Sequence, residues 1–231
     1  MQEGYLLCCF GDNLYFKLTL RAIENIRQYD TSRMICVLTD DPEYFSNITL
    51  HKVIFRRFHY TNHIYPQINY NNPWNKFGLI PKLFQSLYSP FETTMFIDVD
   101  NYFWKDFTFI FDMFRKIEQP LLLPGISDID GRSPADWHWN TVGEVMEASC
   151  MIIPQVCSTV FLYRQAISDI MRSNINYIFD HLKEWKVKSL YRDGYPDEII
   201  YSILCGLKNY KVSHELHEWL HTRVNCNTCW K

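Results

Sequence analysis

Apolar residues in the first hundred positions follow two alternating rhythms, short unbroken runs and sparse helical stripes. Tyr5–Phe10 is a continuous run that predicts a strand buried on both faces, ending at the turn cluster Gly11-Asp12-Asn13. Phe16, Leu20, Ile23 and Ile26 recur at helical spacing and predict a helix to about Tyr29. Met34–Leu38 predicts a second buried strand, closed by Thr39-Asp40-Asp41, and Val53–Phe55 a third. A polar, aromatic loop from about His59 to Trp74 leads into Phe77, Ile80, Phe84 and Leu87, the stripe of another helix, and Met95–Ile97 makes the next strand. This β-α-β order predicts an α/β fold, a mostly parallel Rossmann-type sheet flanked by helices.

The rhythm loosens after Asp100. Phe107–Phe114 predicts a short helix and Leu121–Leu123 a strand ending at Pro124-Gly125. The polar stretch from Ser127 to Ser149 carries Asp128, Asp130, Arg132 and Asp136 and reads as one long loop that can meet an acceptor or simply face solvent. Thr159–Tyr163 predicts another strand, and helices cover much of Ala166–Trp185 and Asp197–Leu207. No repeat or linker-like stretch divides the chain. The expectation is one domain over residues 1–231, with a first half (1–106) and a second half (107–231).

Composition narrows the function. A formal net charge of −3 argues against a nucleic-acid binder, and no apolar stretch reaches the length of a membrane span. The start, Met1-Gln2-Glu3-Gly4, lacks a basic region and apolar core, so no signal peptide is expected and the reading is cytoplasmic. Eight scattered cysteines then read as free thiols, and the sequon Asn47-Ile48-Thr49 as chance. Aromatic residues at 16% point to an aromatic core and cleft.

The chemistry concentrates at Asp98-Val99-Asp100, directly after the Met95–Ile97 strand. Unpaired carboxylates are costly inside a core, whereas the carboxyl edge of a parallel sheet faces the crevice where such folds bind ligands. Two carboxylates one residue apart suit a hard divalent cation carrying phosphate, so a metal-dependent enzyme acting on a nucleoside diphosphate is expected. The plain alternative is that Asp98 and Asp100 cap the following helix.

Pro81-Lys82-Leu83, the helix running to Ser89-Pro90-Phe91, and Phe96-Ile97-Asp98-Val99-Asp100 resemble the GT-A-fold, nucleotide-sugar-dependent glycosyltransferases, especially the glycogenin-like group. Lys82 precedes Asp98 by sixteen residues, a spacing similar to that family's. Gly11-Asp12-Asn13-Leu14-Tyr15 falls where the family contacts uracil and ribose. Cys157-Ser158-Thr159-Val160-Phe161 is similar to the strand that lines its donor-sugar site, with Cys157 for the expected Asn and Thr159 for the expected Gly. Pro196-Asp197-Glu198 falls where the family has an Asp-Gln pair near the reaction centre, with Glu198 a potential base or nucleophile in place of the amide.

The resemblance implies a nucleoside-diphosphate sugar donor, a UDP-sugar first, an acceptor that is glycan, protein or lipid, and a retaining reaction. It implies Mn2+ or Mg2+ at Asp98 and Asp100, with His221 completing the metal shell and His214 as its competitor. Gly11, Asp12, Asn13, Tyr15, Lys82 and Val99 join the two aspartates as nucleotide-binding residues, and Asp197 and Glu198 are the catalytic candidates. By periodicity alone, Lys82 lies off the apolar stripe of its helix and reads as a solvated lysine.

Rival readings come from the tail. His217-Glu218-Trp219-Leu220-His221 is a literal HExxH, the pattern of a zinc hydrolase, although only ten residues follow it. Cys226 and Cys229 with His217 and His221 make a structural zinc site the other option. A nucleotidyltransferase would need a Gly-rich basic loop after the first strand, which Phe10-Gly11-Asp12-Asn13 does not supply. A non-catalytic nucleotide-sugar-binding module is the remaining alternative.

Overall fold

The run Glu3–Cys9 becomes the strand β1, and its alternate side chains enter two different cores, as a two-residue period requires. Leu6 joins one core with Cys36, Leu38, Phe96 and Phe161, while Tyr5, Leu7 and Cys9 join the other with Ile35, Val37, Met95 and Ile97. Both cores are built from buried apolar side chains, and each fully buried leucine contributes about 1.5–3 kcal/mol. The computed structural model describes residues 2–126, 142–188 and 194–220.

β1 is central. It pairs in parallel with β2 (Met34–Thr39) on one side and β4 (Thr93–Ile97) on the other, and β3 (Val53–Arg57) extends the parallel set beyond β2. Beyond β4 the direction reverses: β8 (Val160–Arg164) is antiparallel to β4 and β5 (Leu121–Leu122) antiparallel to β8, giving the order β3-β2-β1-β4-β8-β5. The described residues thus form the expected α/β fold with a mostly parallel sheet, and the parallel strand ends share one edge with the start of β8. A separate two-stranded ladder joins β6 (Gly125–Ile126) to β7 (Gln155–Val156).

Helices cover both faces. α1 (Asn13–Tyr29) and α3 (Phe109–Arg115) pack on the Tyr5 side, and α5 (Ser168–His181) and α6 (Asp197–Lys208) on the Leu6 side. Asn25 of α1 is buried and closes a two-way bond with Phe103: its amide nitrogen donates to the Phe103 carbonyl (2.9 Å), and the Phe103 N–H donates to its oxygen (2.8 Å). That bond fixes the chain just after Asp100. Among the described residues no helix is long and apolar enough to cross a membrane.

Two sequence-based expectations need correction. The Phe77–Leu87 stripe is not one helix: a π-helical turn at Trp74–Leu79 leads into α2 (Ile80–Phe84) and a 3-10 turn at Gln85–Leu87. Pro81 explains the widened turn, since it has no N–H for the Phe77 carbonyl and its ring crowds that position. Secondly, the long polar stretch ends in a helix, α4 (Val142–Ser149), because Val145 packs into the core with Met146 beside it. The start of that stretch, including Asp128, Asp130, Arg132 and Asp136, lies outside the described residues.

Candidate active site

The cleft opens at the sheet edge where β1 and β4 end. The chain leaves β1 through Gly11, whose φ of 99° is in the left-handed region that glycine occupies without strain. Asp12 then caps α1, its carboxylate accepting from the Leu14 N–H at 2.9 Å. This turn sets the exposed Tyr15 ring on one wall of a cleft of about 510 Å³.

The floor comes from β4 and α2. After Ile97 the chain turns through Asp98-Val99-Asp100, and the turn is tied to β8, with the Asp98 N–H on the Thr159 carbonyl (2.8 Å) and the Asn101 amide on the same oxygen (3.1 Å). Neither aspartate caps a helix, because the next helix, α3, begins at Phe109. Asp98 points inward and Asp100 is exposed, and both line the cleft.

Lys82 organises the floor. Its ammonium lies 2.7 Å from Asp98 Oδ2 and 2.7 Å from Asp197 Oδ2. The expected solvated lysine is corrected here: Lys82 is only 8% exposed, and every residue from Ile80 to Phe84 is buried. A helix packed on all sides has no solvent face for the periodicity to report. Asp197, at the start of α6, also accepts from the buried Ser158 hydroxyl, and the Tyr201 hydroxyl holds the Lys82 carbonyl at 2.9 Å. Burial works against every charge in this group. It pushes the Asp98 carboxyl up to about 8 despite Lys82, with Asp100 and Asp197 adding repulsion. Asp197 is also raised by burial, but Lys82 and Ser158 outweigh that and hold it below the usual carboxylate range. Glu198 is pushed up to about 7 by burial and by the Asp197 charge beside it. Lys82 itself is held charged, its two carboxylates overcoming desolvation.

The structure therefore brings Gly11, Asp12 and Tyr15 together with Lys82, Asp98, Val99, Asp100 and Asp197 around one cleft. Asn13, Glu198, Asp40 and Asp41 are not on its wall. Cys157 is buried, its sulfur 3.1 Å from the Thr159 hydroxyl, and also off the wall. Three aromatic residues that the motifs did not single out complete the cleft: Phe10, Trp74 and Phe77. Trp74 and Phe77 lie on the π-helical turn, a feature enriched at functional sites but invisible to a 3.6-residue pattern. Cys8, Cys9 and Cys36 are free thiols, as are Cys150, Cys157 and Cys205.

Asp98 and Asp100 form an oxygen-only pair at the cleft, which fits a hard, partly hydrated cation that takes its other ligands from water and phosphate. Among the described residues no group of three or more His, Cys, Asp or Glu could hold a metal on its own. His221, expected as a third ligand, and Cys226 and Cys229 lie outside the described residues. His214–Glu218 forms a short helix, α7, followed by Trp219 and Leu220. Trp219 and Leu220 of the HExxH segment, with Leu216 just before it, are buried in the core on the Tyr5 side, so this stretch has a packing role.

No family model matches the sequence, and no curated protein matches it. Solved structures do match in shape. Mouse xyloside xylosyltransferase 1 in its apo form superposes with a TM-score of 0.60 at 10% identity, over 92% of this chain and 84% of that one. The glycosyltransferase GlyE of Streptococcus pneumoniae TIGR4 matches with a TM-score of 0.54 at 14% identity, and its apo form with 0.55 at 14%. Both cover 92% of this chain, which spans less than half of GlyE, 46% and 45% of the two chains. At these identities the likeness speaks for the fold, and the chain has the GT-A-like fold of glycosyltransferases.

Proposed function

We propose that this chain is a glycosyltransferase that moves a sugar from a nucleoside-diphosphate sugar, a UDP-sugar first, to a hydroxyl of an acceptor. One observation carries the reading: the Asp98–Lys82–Asp197 cluster forms the floor of a cleft whose rim holds Asp100 and whose wall holds Tyr15. A buried cation held between two carboxylates is costly to build, and this one sits where open α/β sheets bind ligands.

In this reading Gly11, Asp12 and Tyr15 receive the nucleoside, with the Tyr15 ring against the base. Lys82 has three N–H donors and its two carboxylates take two of them, which leaves one for the diphosphate. Asp98 and Asp100 hold Mn2+ or Mg2+, which when bound offsets the charge that builds on the departing diphosphate. Asp197 is the carboxylate of its pair that reaches the cleft, so it accepts hydrogen bonds from the hydroxyls of the transferred sugar. Ser158 and Lys82 fix its direction. Glu198 stands behind it, part protonated near neutral pH, and tunes the charge of the pair.

Calorimetric titration tests this, with UDP, UDP-glucose and a UDP-pentose added in Mn2+ and again in EDTA, and GDP and CDP as controls. The expected result is metal-dependent UDP binding that Asp100→Asn weakens at least tenfold while leaving the unfolding midpoint unchanged, since Asp100 is exposed. Undiminished binding by that variant would remove the metal assignment, and no nucleotide binding at all would remove the function.

A further inference from the structure

Trp74 is a large aromatic residue left half open in the wall of the cleft, 47% exposed. An exposed tryptophan normally moves, and this one is held. Its indole N–H donates to the Tyr195 carbonyl at 3.1 Å, and the Tyr195 N–H donates to the neighbouring Asn75 side chain at 3.2 Å. These two bonds fasten the π-helical turn to the segment that enters α6, two residues before Asp197. One face of the indole lies over Gly78, where an added Cβ would sit 3.7–3.9 Å from the ring-fusion carbons, so the opposite face is the one left for a ligand. The polar edge is thus satisfied within the protein, and what remains for a ligand is apolar ring surface.

The position selects the ligand part. Phe77 and Tyr15 both approach Gly11, so the base end of the cleft already has its aromatic rings. Trp74 instead bonds to the chain that delivers Asp197, the carboxylate assigned to the sugar. A pyranose ring has an apolar C–H face and a polar hydroxyl rim. An immobilised indole beside a fixed carboxylate matches that pairing, one for the face and one for the rim.

We propose that Trp74 is a sugar-binding platform, its indole receiving the C–H face of a pyranose ring while Asp197 takes the hydroxyls. The proposal rests on the reading of this cleft as a sugar-nucleotide site, and it covers a pyranose of either the donor or the acceptor.

The test compares wild type, Trp74→Ala and Trp74→Phe in the full chain. UDP and UDP-glucose are titrated by calorimetry in Mn2+, and methyl α-glucoside and methyl β-xyloside are followed by saturation-transfer NMR. Trp74→Phe keeps a ring without the N–H and also guards against a folding defect in the alanine variant. Trp74→Ala is expected to leave UDP affinity within about threefold and to remove about tenfold from the sugar-dependent signal, with Trp74→Phe recovering most of it. A loss confined to UDP-glucose places the donor sugar there, and a loss confined to the methyl glycosides places the acceptor there. Equal losses for UDP and UDP-glucose, or sugar binding unchanged in Trp74→Ala, overturn the platform. Wild type that binds glycosides through Trp74 but no UDP keeps the platform and rejects the nucleotide-sugar reading. Wild type that binds neither rejects both.

Discussion

Replacing Lys82 with methionine removes one charge and leaves the shape of the floor nearly intact, so it isolates the electrostatic role of that residue. In the native protein a single ammonium serves Asp98 and Asp197 at 2.7 Å each, with 8% of the lysine exposed. Without it Asp197 is a buried anion left with hydrogen bonds from the Ser158 hydroxyl and a backbone N–H and with no opposite charge beside it. Breaking a buried pair in this way costs about 3–5 kcal/mol. For a chain of this length that lowers the melting temperature by roughly 6–20 °C. The loss must also depend on pH. Asp98 is already raised to about 8 in the native protein, so the new titration belongs to Asp197, which changes from a lowered group to a raised one. A carboxyl raised in the folded state destabilises above its unfolded pKa, by about 1.4 kcal/mol per pH unit up to the folded value. Acidification therefore restores the variant relative to wild type. Guanidinium denaturation at pH 7.5 and 5.5 measures both quantities, and Lys82→Met/Asp197→Asn should recover most of the loss at pH 7.5. A loss below about 1 kcal/mol at pH 7.5, or one of equal size at both pH values, would refute the argument that Lys82 neutralises the floor.

Two further perturbations probe the frame around the site. Asn25→Leu keeps the volume but leaves the buried Phe103 N–H without its partner, whereas the Phe103 carbonyl keeps the Tyr29 hydroxyl; a loss of about 1–3 kcal/mol is expected in denaturant, and an unchanged midpoint would show that the contact does not stabilise the chain. His63 is buried between Phe58 and Phe84, bonds the Tyr88 hydroxyl, and is lowered to about 4, first by burial and then by the Arg172 charge. The unfolded chain then takes up a proton near pH 6.5 that the folded chain refuses, so stability falls as pH drops from 6.5 to 4, by about 3 kcal/mol in all. His63→Phe should lose that slope, and parallel pH profiles for the two proteins would show that His63 is not the group responsible.

The alternation of apolar runs and helical stripes was enough to place β1, β2, β4, α1 and α6 within a few residues, because each buries a long contiguous apolar set. Around α2 it marked helical chain but not its breaks, since Pro81 widens the preceding turn, and burial on every side hid the true place of Lys82. Nor did it disclose α4, whose apolar positions stand within a polar stretch. The candidate site divides in the same way. Asp98 and Asp100 were legible because two carboxylates directly after a buried strand have few structural uses. Asp12, Tyr15 and Asp197 were legible through their resemblance to a family, since turn and helix-start residues of those types are otherwise ordinary.

The sequence by itself determined the α/β class and the strand that delivers the aspartate pair. Only the tertiary structure decided that Lys82 is a buried bridge between Asp98 and Asp197, that Ser158 stands behind it, and that Trp74 is pinned to Tyr195. These contacts join positions up to 121 residues apart. Local periodicity records which face of an element is buried, whereas the partner of a buried charge depends on which elements the sheet order brings to the same edge.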